Sequence, residues 1–150
     1  MTRGIKAMTD SHLAVEEAMG HLVEAFRVAR SGETDLEPVR QRTKTLEKRF
    51  LYHLTVGQSL GQRAENLSGV RPREVDALDT GARELLAQIR AFREALAEKN
   101  GAENLSADCW HELRAHLQGL LEGFEICGQK EWTFSTRWSS FLFPGGVSAD

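Results

Sequence analysis

Three of the chain's five histidines, His12, His53 and His116, fall on or beside apolar helical seams rather than on polar faces. Imidazoles that converge inside a bundle are how such folds build metal or cofactor sites. Three neutral imidazoles with one open position suit a single Zn²⁺ or another borderline ion. Nothing else in the chain competes as a chemical signal. No nucleophile-and-base spacing, phosphate-cradling glycine loop or CxxC pair is present, so an enzyme is the less favoured reading.

The elements that must position these side chains are four amphipathic helices, each keeping a 3-4-3-4 apolar rhythm. Their expected spans are about 10–30, 35–64, 73–99 and 106–130 in a single domain of 150 residues. The first seam runs His12, Val15, Met19, Leu22, Phe26 and stops at Ser31-Gly32, where glycine can take the left-handed conformation. The second helix opens on Thr34 to Glu37, a capping-box pattern, with Pro38 in its first turn. Pro72 marks the start of the third, Asn100-Gly101 its end, and Ser106 the start of the fourth. Short links favour antiparallel neighbours, so the predicted fold is all-α, an up-down-up-down four-helix bundle. The segment 131–150 reads as an aromatic C-terminal tail, with Trp132, Phe134, Trp138, Phe141 and Phe143, closed by Pro144-Gly145-Gly146.

Counting from the turns puts the histidines at one height. His12 lies about eighteen residues before the first turn and His53 about as far after it, so antiparallel helices bring them level. The same count places Ala82 opposite His53 and the matching level of helix four near His116 to Leu120. His21 and His111 fall outside this layer, His111 on a solvated face and His21 on a side face. Gly57 and Ala82, both small and both in the layer, would leave a cavity for a small ligand. Glu16 and Asp79 stand one turn from His12 and Ala82, placed to serve as further ligands or to fix a histidine tautomer, and Tyr52 is the other polar group beside the layer.

On these residues the chain resembles the hemerythrin-like (HHE cation-binding) family, whose four helices enclose a pair of irons. The resemblance spans about His12 to Glu125: the seam after His12 is similar to the first family helix, Leu46 to Gln58 to the second with His53 at the ligand position, and Leu113 to Glu122 to the fourth with His116 at its ligand position. It implies a metal- or small-ligand-binding protein of sensor or storage type. Gly57 stands where the family usually has a bridging glutamate, Leu120 and Leu121 where a carboxylate should follow His116, and Ala82 with Leu86 where helix three should supply ligands. Without carboxylates to neutralise it, a di-iron pair in a low-dielectric core is very unfavourable. One Fe or Zn ion, or a haem held by axial histidine, is the expectation instead.

Composition bounds the partners. A net charge of −3 with 27% charged residues gives no reason to expect nucleic acid. No apolar run approaches the ~20 residues of a membrane span, no signal segment follows the short basic start, and the chain reads as cytoplasmic. Cys109 and Cys127, 18 residues apart on one helix, sit too far apart to bridge. The alternative to metal binding is a metal-free interaction module. It would form a homodimer or hold a protein partner through the 131–143 aromatics, or dock on the basic face of helix two formed by Arg40, Arg42, Lys44, Lys48 and Arg49.

Overall fold

The computed structural model describes residues 3–33, 35–99 and 105–142, and these form four helices with no strand among the described residues. Helix α1 spans Arg3–Val28, α2 Glu37–Ser68, α3 Arg73–Ala97 and α4 Ala107–Leu142. The order and alternating direction are those of an antiparallel four-helix bundle, as the 3-4 rhythm predicts. A wider turn, Ala29–Glu33, ends α1, with Gly32 at φ 103°, and Gly69 at φ 79° ends α2 by donating its N–H to the Glu65 carbonyl at 2.9 Å. Both glycines occupy left-handed positions that cost other residues 1–2 kcal/mol or so. Ser106 Oγ accepts the Cys109 N–H at 3.2 Å and caps α4, while Pro72 stands extended just before α3.

Several boundaries differ from the expectation. The capping box of α2 is not made. Leu36 occupies the cap position with no side-chain bond, and Asp35 Oδ1 takes the Glu37 N–H at 2.9 Å instead; Thr34 lies outside the described residues. Helix α1 starts seven residues before the expected 10, since Arg3 opens it, and Met8 is buried. The larger correction concerns the tail. Helix α4 does not stop at 130 but runs on to Leu142, because the seam spacing continues through Phe124, Cys127, Glu131, Phe134 and Trp138. Asn100 and Gly101, Phe143 and Pro144 to Gly146 lie outside the described residues.

The interior is divided. One large apolar core joins all four helices through Leu22, Phe26, Leu46, Phe50, Leu85, Ile89, Phe92, Leu113 and Leu120. A second, smaller core at the end of the bundle holds Met8, Leu60, Ala64, Val75 and Phe134, with Trp138 packed against it. Between them each of three helices carries a polar residue at the same level. Ser11 and His12 lie between Met8 and Val15, His53 between Phe50 and Leu60, and Glu131 between Cys127 and Phe134. Buried charge also ties α2 to α3: Glu47 accepts from Arg90 Nε at 3.0 Å and from Arg93. Arg40 donates to the Leu96 carbonyl at 3.2 Å and to that of Lys99, closing the C-terminal end of α3. The predicted basic face of α2 is thereby split, since Arg40 and Arg49 are bound to backbone carbonyls and Arg42, Lys44 and Lys48 remain exposed.

Candidate metal centre

The polar layer forms one cluster. His53 Nε2 stands 2.6 Å from Glu131 Oε1, and His12 Nδ1 stands 3.5 Å from Glu131 Oε2. One donor atom from each of His12, His53 and Glu131 can be chosen so that all lie within 4.8 Å of one another. Each ring is wedged by its neighbours. His12 stacks on Phe124 with centroids 4.8 Å apart and meets His53 edge-on at 5.7 Å. Its Cε1 lies 3.4 Å from where a Cβ on Gly128 would stand, so the ring lies against α4 within ordinary van der Waals contact of that position.

Ser11 Oγ has a single hydrogen, and the oxygen lies 3.0 Å from the Met8 carbonyl and 2.5 Å from His53 Nδ1. The hydroxyl can give that hydrogen to Nδ1 or accept Nδ1–H, according to the tautomer of His53, whose Nε2 faces Glu131. At 2.6 Å from the carboxylate oxygen, Nε2–H donates to Glu131, and a metal ion held by the two atoms would take the place of that hydrogen. His12 Nδ1 is enclosed and has no hydrogen-bond partner, since 3.5 Å to Glu131 is an electrostatic contact rather than a bond. Glu131 holds the His12 imidazole above its ordinary pKa against the opposing effect of burial. Burial alone would raise the Glu131 carboxyl, but the two histidines outweigh it and hold it below the usual carboxylate range. Burial, assisted by Glu131, pushes the neighbouring Cys127 thiol up to about 11, so in the metal-free protein it stays protonated.

Of the histidines expected to meet, the structure brings together His12 and His53 and leaves out His116. The latter lies beside Phe92 of the large core, with centroids 6.3 Å apart. It is fifteen residues from Glu131 on the same helix, or roughly 22 Å at 1.5 Å per residue. The physical reason is register. Phe92 pairs with His116, and a Cβ on Gly81 would lie 3.6 Å from Cys127 Sγ, so the level of Ala82 on α4 is Cys127 rather than His116 to Leu120. Helix α4 starts beside the end of α3, where Lys99 pairs with Glu112 at 3.9 Å.

Gly57 and Ala82 do line a cavity, of about 250 Å³, together with His53 and Glu131. Its other walls are apolar, Met8, Phe50, Leu54, Val75 and Leu78 among them, with Gln58, Arg71 and Arg83 toward the surface. Asp79 lines it too but pairs with Arg83 at 3.0 Å rather than with a histidine. Two of the other predicted helpers do not reach the site: Tyr52 points to solvent at 62% exposure, and Glu16 is exposed, contributing only a distant charge to His12. His21, expected on a side face, is exposed, as is His111.

Two residues of the cluster escaped the sequence reading. Ser11, beside His12 in sequence, carried no signal of its own. Glu131 had one, for it continues the seam of α4, where a carboxylate at an apolar position asks for a partner. Among the tail aromatics, Phe134 is buried and Trp138 half-buried in the small core, whereas Trp132 is 73% exposed. No helix among the described residues is long and apolar enough to cross a membrane. Comparison with family models, with curated proteins and with solved structures finds no match to this chain.

Proposed function

We propose that this protein is a hemerythrin-like bundle binding a single borderline divalent metal ion, Zn²⁺ or Fe²⁺, through His12, His53 and Glu131. The observation that carries the reading is a partly buried set of two imidazoles and one carboxylate with donor atoms within 4.8 Å of one another. Two histidines with one carboxylate and an open position is a ligand set for zinc hydrolases and for non-haem iron alike. Around a tetrahedral ion with bonds of ~2.1 Å, ligand atoms lie ~3.4 Å apart. Seating the ion therefore needs the 2.6 Å His53–Glu131 contact to open by under an ångström, with His12 closing in. Ser11 Oγ, 2.5 Å from Nδ1 of His53, is placed to accept Nδ1–H when Nε2 ligates. One carboxylate neutralises part of one dication and cannot serve two irons, and a cavity of about 250 Å³ takes a small molecule rather than a haem.

Titration of EDTA-treated protein with Zn²⁺ tests this. We expect one equivalent to bind, with at least a hundredfold loss of affinity in Glu131→Gln and in His53→Ala and less than a twofold change in His116→Ala. Binding that survives Glu131→Gln, or that His116→Ala abolishes, defeats the assignment.

A further inference from the structure

We infer that the cavity beside the metal centre binds a short-chain aliphatic monocarboxylate, with its carboxylate on the metal's open position and its hydrocarbon body between α2 and α3. The inference rests on the metal reading above and adds to it the class of ligand. His53 and Glu131, two of the three ligands, stand in the cavity wall, so an ion held there faces into it. An M²⁺ ion with two neutral imidazoles and one carboxylate keeps one net positive charge, and in surroundings made by Phe50, Leu54, Val75, Leu78 and Ala82 that charge calls for one further anion.

The orientation follows from the opposite end. Arg71 and Arg83 stand at the surface side, but both are already engaged, Arg71 with Asp76 at 2.5 Å and Glu65 at 3.6 Å, and Arg83 with Asp79 at 3.0 Å. An acid group gains little there and more at the metal. Size limits the body: about 250 Å³ is below the ~300–1,000 Å³ range of pockets for drug-sized ligands, which leaves room for a chain of a few carbons. The cavity is also not forced by crowding. A Cβ on Gly57 would meet no atom within 4 Å, so a larger side chain fits there and the glycine leaves the space open.

The test uses the full chain loaded with Co²⁺, whose visible absorption reports its ligands. Hexanoate should shift the spectrum and bind at least tenfold more tightly than acetate, since each buried methylene strengthens binding by roughly fourfold. Hexanol should leave the spectrum unchanged. Gly57→Leu fills the cavity from α2 and Ala82→Val from α3. In whichever variant retains the wild-type Co²⁺ spectrum, the preference for hexanoate over acetate should vanish. If Co²⁺ binds but hexanoate and acetate bind equally, or if the preference survives both filled variants, this inference falls and the metal site stands. If no Co²⁺ binds at all, both fall.

Discussion

The two apolar cores of this bundle differ in what interrupts them. The large core runs across all four helices with fully buried aromatic and branched side chains, Phe50, Phe92, Leu22 and Ile89 among them, and its charged neighbour Glu47 is answered by two arginines from α3. The small core is built mainly from the outer ends of the helices and is cut off from the large one by Ser11, His12, His53 and Glu131, with an open cavity alongside. A layer that replaces leucines with two imidazoles and a carboxylate sacrifices apolar burial at the middle of three helices. The large core is what allows it, because helix association is already secured there, and residues that do not pack can be held at the boundary in a fixed geometry.

The largest effect that could break this division concerns stability. Phe92→Ala removes a fully buried ring from the large core, which all four helices build, and should cost near the upper end of ~3–5 kcal/mol. Phe134 is equally buried, but it sits in a small cluster at the bundle end that can close around the loss, so Phe134→Ala should cost nearer the lower end of that range. Urea unfolding of both variants measures the difference. Equal losses would show that the polar layer does not divide the interior energetically.

How much of this was readable from residues alone follows from where each signal sits. Helix number, direction and the boundaries at Gly32, Pro72 and Ser106 were legible because apolar rhythm and cap chemistry are local. The meeting of His12 and His53 was legible as well, because the α1–α2 link is short and a count of residues from it survives into three dimensions. His116 failed for the complementary reason. Across the α3–α4 connection a misjudged link displaces every level of α4 by the same two to three turns, and the seam alone does not say which turn faces the layer. Glu131 was hidden by its neighbours, since a run with Trp132, Phe134 and Trp138 reads as an aromatic tail until the spacing of Phe124, Cys127, Glu131 and Phe134 is taken as one continuous seam.

The polar layer itself makes a smaller, pH-dependent contribution in metal-free protein, and its sign can be worked out. The folded-state pKa of Glu131 is lowered, so its stabilising effect is complete above the ordinary value of 4.5 and is lost as pH falls through the depressed value. That of His12 is raised, so its effect is complete below 6.5 and is lost as pH rises through the elevated value. The two overlap between about 4.5 and 6.5, and there the stability difference between wild type and Glu131→Gln should be greatest. Urea midpoints in EDTA over a pH series read this directly. A difference that keeps growing on the alkaline side would mean that the carboxylate does not act through His12.

The finest contrast lies one turn apart on α2. A Cβ on Gly61 would stand 2.8 Å from Val75 Cγ1, where α2 and α3 approach most closely, so Gly61→Ala forces a core side chain to move and should destabilise by ~1 kcal/mol or more. A Cβ on Gly57 meets nothing within 4 Å, and Gly57→Ala relieves the entropic cost of glycine inside a helix, which should stabilise the protein by about 0.5–1 kcal/mol. Opposite signs from one substitution at two positions on the same helix would separate glycine kept for packing from glycine kept for space. If Gly57→Ala also destabilised, α2 and α3 would have to lie closer at that level than the cavity allows, and the site half of the bundle would be as tightly filled as the other.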